Sequence, residues 1–197
     1  MPLWLQQWMG YTATSAGMAL APVGLFAILL TPLVGRKVGQ WDPRRMATGA
    51  FMVFALVLWL RSQFTVQTDF MHVLIPTLIQ GAAMAFFFIP LTTITLAGLT
   101  PDRIPAAAGL SNFTRITAGA MGTSVATTLW DDRAAMHHAH MTEPLVQGQG
   151  PFALALDSLR AAGLSAEQAL AQINRLIDQQ AYTRAVDDIF LGSAYLF

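Results

Sequence analysis

The sequence predicts an all-α, polytopic membrane bundle, and three observations carry that prediction. Hydrophobic residues make up 54% of the 197 and charged ones only 11%, with a mean hydropathy of +0.49, whereas soluble chains carry about a quarter charged residues. Uncharged runs recur at lengths near the roughly 20 residues with which a helix crosses about 30 Å of hydrocarbon. The remaining charges are segregated: residues 1–130 hold seven Lys/Arg and three Asp/Glu, and residues 131–197 hold four Arg and eight Asp/Glu. No basic field points to nucleic acid. The absence of cysteine removes disulfide and thiolate chemistry.

Met1–Gly35 carries no charge. Gln6, Gln7, Gly10, Tyr11 and Thr12 mark an interface within it, with Trp4, Trp8 and Tyr11 as anchors. Residues 1–14 therefore read as the outer end of a preceding span, and the first complete span covers about 15–34. Pro22 and Pro32 are tolerated there because neighbouring membrane helices resatisfy the freed carbonyls. The link from Gly35 to Arg45 concentrates Arg36, Lys37, Arg44 and Arg45 around Asp42, so the positive-inside rule places it in the cytoplasm.

Met46–Leu60 is a short apolar run between Arg45 and Arg61. It reaches a span over about 46–64 if both arginines snorkel to the interfaces; a buried soluble helix has the same length. Residues 70–99 form the third span, in which Pro76 and Pro90 predict bends. Residues 105–130 form the fourth, with Arg115 as its one charge. Counting crossings from the cytoplasmic link puts residue 131 onward outside.

Residues 131–183 are polar and read as an extracytoplasmic loop or small helical cap, broken at Gly148-Gln149-Gly150-Pro151. Phe152–Ala162 is expected as a short amphipathic helix ended by Gly163. Ser165 followed by Gln168 has the spacing of a capping box for the next helix. The run Ile189–Phe197 starts like a span and stops at about half the required length. Residues 184–197 accordingly read as the start of a final span.

Arg115 lies roughly 15 Å into the fourth span at about 1.5 Å per residue, near the middle of the hydrocarbon. Exposure to lipid there costs at least about 2.5–3.5 kcal/mol, so it must face protein or an aqueous cavity. Ala108, Asn112, Arg115, Gly119, Gly122 and Ala126 follow a helical rhythm, forming a small, polar stripe on which another helix packs closely. Asn112, one turn away, orients the guanidinium. Two roles remain open for Arg115: a packing lock to carbonyls or a Gln80-like partner, or a cation bordering the central cavity that tunes a carboxylate supplied from outside this chain.

On the third span Gln80, Phe86, Phe87, Phe88 and Thr92 suit a passage for aromatic or cationic compounds, and equally suit lipid-facing and core positions. His137, His138 and His140 invite a metal reading with Asp131, Asp132 and Glu143, but no compact ligand spacing is forced, and an exposed polar turn is the favoured alternative. Ser165 and the threonines have no paired base. No enzyme activity and no cofactor are expected.

In order and spacing, several segments resemble the EmrB/QacA-type drug:proton antiporters, the fourteen-span branch of the major facilitator superfamily. They are Tyr11-Thr12-Ala13 leading to Ala16-Gly17 and Ala21-Pro22-Val23-Gly24, then Gly35-Arg36 and Asp42-Pro43-Arg44-Arg45. The likeness continues through Phe87-Phe88-Ile89-Pro90-Leu91-Thr92-Thr93-Ile94-Thr95-Leu96, Leu110-Ser111-Asn112-Phe113-Thr114-Arg115 and the neighbourhood of His137-His138-Ala139-His140. The resemblance implies a partial major facilitator fold whose complete spans are the tenth to thirteenth helices, with residues 131–183 as the periplasmic loop. It implies export of hydrophobic or cationic drug-like compounds in exchange for protons across the bacterial inner membrane, together with a missing N-terminal bundle, a periplasmic adaptor and an outer-membrane channel. It also implies that Arg36, Asp42, Arg44 and Arg45 belong to a gating loop, though positive-inside topology alone explains the same residues. A partner-binding membrane scaffold and a non-functional gene fragment are the other readings the sequence leaves.

Overall fold

A computed structural model describes residues 1–146 and 151–197, and every regular element among them is an α-helix. The order is α1 (Pro2–Gln7), α2 (Ala13–Leu20), α3 (Pro22–Lys37), α4 (Pro43–Arg61), α5 (Phe70–Leu96), α6 (Ile104–Val146), α7 (Pro151–Ala161) and α8 (Ala166–Leu196). Together α2 and α3 cover Ala13–Lys37, and this segment, α4 and α5 are each long and apolar enough to cross a membrane. The all-α membrane bundle expected from composition is thus present.

Each apolar helix begins where the sequence supplies a start signal. The Thr12 hydroxyl accepts from the Ser15 amide at 3.1 Å to open α2, and Pro22 occupies the first turn of α3, where no amide hydrogen is needed. Asp42 caps α4 by accepting from the Arg44 amide at 2.9 Å, with Pro43 next in line. α5 runs unbroken through Pro76 and Pro90. Just beyond Pro90, the Thr92 and Thr93 hydroxyls donate to the carbonyls of Phe88 and Ile89, so these polar groups stay satisfied within their own helix.

α5 packs against both α3 and α4. Gly81 lets the α3 backbone settle directly on α5: a Cβ at this position would lie 2.6 Å from the Val23 carbonyl oxygen and 2.9 Å from its Cα. In lipid, where apolar side chains gain little by leaving one another for hydrocarbon, such close backbone approach is a main source of helix association.

The polar third of the chain departs from the expected short-helix cap in two places. α6 does not stop at Trp130; it continues as one helix of 43 residues to Val146. Residues 131–146 include Asp131, Asp132 and Arg133 on a helix whose hydrogen bonds are internal, so polar composition here marks a solvated helix rather than a turn. At about 1.5 Å per residue α6 is roughly 65 Å long, about twice the hydrocarbon thickness, and it is not among the described helices that are long and apolar enough to cross a membrane. α8 likewise joins the expected cap helix and the expected start of a final span into 31 continuous residues packed along α6.

Other local expectations hold. α7 ends beside Gly163, whose φ of +94° is the left-handed conformation that a glycine adopts without strain. The Ser165–Gln168 capping box is formed in both directions, with bonds of 3.2 and 2.9 Å. The Gly148-Gln149-Gly150 break lies outside the described residues. Of the two arginines flanking α4, Arg45 reaches outward, with 90% of its side chain exposed, but Arg61 does not snorkel: it is 5% exposed and turns into the bundle.

Gly81→Ala is expected to force α3 and α5 apart and to destabilise the detergent-solubilised chain by about 1–3 kcal/mol, the usual cost of overpacking. Gly24→Ala in the same region meets nothing within 4 Å and serves as the neutral comparison in thermal unfolding.

Candidate functional site

α5 and α6 meet around a cavity of about 400 Å3 that contains Arg115. The Arg115 Nη2 donates to Asn112 Oδ1 at 2.6 Å, and its guanidinium carbon sits 5.7 Å from the centre of the Phe88 ring. The i, i+3 spacing on one helix places the amide against the cation, and α5 supplies the aromatic face that a planar guanidinium favours. Thr92 and Thr95 add hydroxyls to the wall, and Ser111 a third. Arg115 is exposed on this chain. The stripe foreseen on α6 divides between two cavities: Ala108, Asn112 and Arg115 line this one, whereas Gly119, Gly122 and Ala126 line another of about 570 Å3 against α1 and α8.

Gln80 and Phe87 take other positions. Gln80 is half-buried on α5, outside the Arg115 cavity, and makes no side-chain hydrogen bond among the described residues. Phe87 points toward α4, where its ring lies 5.1 Å from Phe51 and 5.6 Å from Phe54 in edge-to-face geometry. The aromatic side chain that meets the cation is therefore its neighbour Phe88, one helical step of about 100° away.

The basic link gathers at the other charged end. Asp42 Oδ2 and Arg45 Nε are 3.9 Å apart within the first turn of α4, with both side chains half-exposed or more. This geometry joins the residues of one helix end, and α3 and α4 are not bridged through it. Arg36 and Arg44 are exposed and take part in no ion pair among the described residues. Trp41, Asp42 and Arg45 line a cavity of about 830 Å3, with Gly49 and Ala50 of α4 facing Ala82 and Ala83 of α5. Its lining therefore combines charged and aromatic groups with a slot of small residues.

A third polar constellation was not legible in the sequence. His137 and His138 are on α6, not in a turn, and reach across to α8: His137 Nε2 is 2.8 Å from Asp188 Oδ2, and His138 Nδ1 is 2.7 Å from Asp178 Oδ1. Arg133 approaches the same Asp188 at 3.8 Å, and Asn174 Nδ2 donates to Asp178 at 3.1 Å. His140 is exposed, and no group of three potential ligands gathers for a metal among the described residues. Trp130 Nε1 donates to the Tyr182 carbonyl at 3.0 Å, and the Tyr182 ring stacks on Trp8 at 4.3 Å. Burial first, then Asp131 and Asp178, raise the Tyr182 phenol above its ordinary range, so it remains a neutral packing group.

Asp178→Ala removes the partner of His138 and Asn174, and Asp188→Ala that of His137 and Arg133. Each change is expected to weaken the α6–α8 pair by about 1 kcal/mol, the scale of a partly exposed hydrogen bond. Amide hydrogen exchange of the chain in micelles should then accelerate in residues 174–190 and remain unchanged in α3–α5.

Comparison with known proteins follows the same pattern. Over the whole chain the sequence is 44% identical to the multidrug export protein EmrB of Escherichia coli, 39% identical to the fatty acid resistance protein FarB of Neisseria gonorrhoeae, and 36% identical to the probable multidrug resistance protein EmrY of Escherichia coli. In each case the chain spans about two-fifths, 39%, of the relative's length. No protein-family model matches it, and no solved structure matches it. Apolar helices of crossing length and the match of the entire chain to part of several export and resistance proteins agree: this chain is an all-α, polytopic inner-membrane protein homologous to part of the EmrB-type multidrug transporters of the major facilitator superfamily.

Proposed function

We propose that the chain forms one wall of a proton-coupled exporter of hydrophobic or cationic drug-like compounds, completed by a helical bundle outside these 197 residues. The observation that carries this reading is the alignment of the entire chain with export and resistance proteins. In this reading residues 35–45 face the cytoplasm, while residues 131–183 face the periplasm, where an adaptor leading to an outer-membrane channel docks. Arg115 borders the transport cavity. Held by Asn112 and Phe88, it presents its remaining donors to a carboxylate of the absent bundle and lowers that group's proton affinity. A change of access that alters their separation then converts proton capture into proton release.

The exposure of Arg115 supports this role: Asn112 accepts from one nitrogen of the guanidinium, and the remaining donors find no acceptor among the described residues. Large apolar side chains on the same helix are also open, among them Leu110 and Phe113, each 67% exposed. Such a surface fits the wall of a larger assembly.

The test is a chimera in which this chain replaces the matching part of the Escherichia coli relative. Arg115→Lys keeps the charge and loses the five-donor fork, and Arg115→Ala loses both. With matched protein levels in vesicles, drug-driven proton exchange is expected to be partial for Lys and nearly absent for Ala. Undiminished exchange by the Ala chimera contradicts the proposed role of Arg115.

A further inference from the structure

Two polar side chains of opposite charge lie on facing helices, and one atom of each is buried without a hydrogen-bond partner. Arg61, the last residue of α4, is 5% exposed. Its Nη2 donates to Thr77 Oγ1 at 3.2 Å, and that hydroxyl in turn donates to the Val73 carbonyl at 2.7 Å, so Thr77 has nothing further to donate. The Arg61 Nε is buried without an acceptor. On α8, Asp187 Oδ1 is buried without a donor. Both residues border the same aromatic pair: the Arg61 guanidinium lies 5.9 Å from the centre of the Phe190 ring, Phe64 meets Phe190 edge-to-face at 6.5 Å, and Asp187, one turn before Phe190, accepts a hydrogen bond from the Phe64 backbone. No salt bridge joins Arg61 to Asp187 in this arrangement.

An unpartnered buried donor or acceptor is destabilising, and more so when charged. Two such deficits of opposite sign across one interface are relieved together if the groups meet. We propose that Asp187 and Arg61 form a proton-operated latch between α4 and α8: Asp187 carries a proton in the arrangement seen here and, on losing it, closes on Arg61. The O–H bond of the carboxyl breaks, the proton passes to water, and the carboxylate accepts from the free guanidinium N–H. Asp187 is only half-buried, so its carboxyl keeps access to water for that proton.

The surrounding charges are accounted for. On α8, Asp188 and Arg184 act on Asp187, but Asp188 is held from α6 by His137 and Arg133. From α1, the neutral Trp4 ring stacks on Phe64 at 5.8 Å. From α4, Arg61 itself is the facing cation; from α5, Thr77 is a neutral contact.

The latch gives the proposed exporter a proton site within this chain, and in that respect it rests on the transport reading. Its test does not. Infrared difference spectra of the chain in micelles, recorded across pH, read a protonated carboxyl directly. A titrating carboxyl band lost in Asp187→Asn is expected, and in Arg61→Gln the same band should persist to higher pH, with proton affinity raised about tenfold by removal of a neighbouring cation. Thr77→Val keeps both charges and frees Nη2, and should change the midpoint less than Arg61→Gln. A band that survives Asp187→Asn, or a midpoint unmoved by Arg61→Gln, overturns the latch. Should Asp187→Asn not fold, Asp187→Glu must still move the band for the proposal to stand. In the chimera, Asp187→Asn is expected to flatten the pH profile of exchange. An unsubstituted chimera that exports nothing counts against the transport reading alone.

Discussion

The backbone of Val23 rests on Gly81, and much of the bundle follows from what that contact makes of α5. With no side chain between them, α3 and α5 pack closely, and α5 then offers different residues to different neighbours. Phe87 sits edge-on to Phe51 and Phe54 of α4, while Phe88, the next residue, turns to Arg115 of α6. A helix turns about 100° per residue, so two adjacent aromatic residues serve two interfaces. α5 is in this sense the spine of the apolar part, and a residue that pushed it away from α3 would disturb the wall of the Arg115 cavity as well.

The second organising demand is that polar groups removed from water find one another. Along the junction of α1, α6 and α8 they do so in series: Trp4 Nε1 donates to Thr183 Oγ1 at 3.2 Å, Gln179 to the Trp8 carbonyl at 2.6 Å, and the two His–Asp pairs follow. These bonds set the position of α8 along α6, since side chains that are not interchangeable fix a register better than apolar contact alone. Arg61 and Asp187 stand out against this background because they are close to the same aromatic pair and incompletely satisfied.

How much of this was legible in the sequence depended on the range of the signal. Uncharged runs marked α3 and α5, and the Ser165 box and Gly163 punctuated α7 and α8, because each is a property of consecutive residues. Asn112 beside Arg115 was also legible, as a pair at helical spacing. The continuation of α6 beyond Trp130 was not: a helix solvated on much of its surface has no charge-free run, and its polar texture looks like a loop. Nor was the inward turn of Arg61, since a flanking arginine can reach out or in with the same sequence. The His–Asp pairs join residues 40 and 51 positions apart, and only the antiparallel packing of α6 and α8 brings them together.

In the proposed topology α4, despite its brevity, crosses the membrane and places the basic link and the α6–α8 pair on opposite sides. Because the chain has no cysteine, single substitutions report their own surroundings. Membrane-impermeant thiol labelling of intact cells should modify Gln67→Cys and Gln172→Cys from outside and reach Gly39→Cys only after permeabilisation. Labelling of Gly39→Cys and Gln67→Cys from the same side would show that α4 does not cross and would contradict the account.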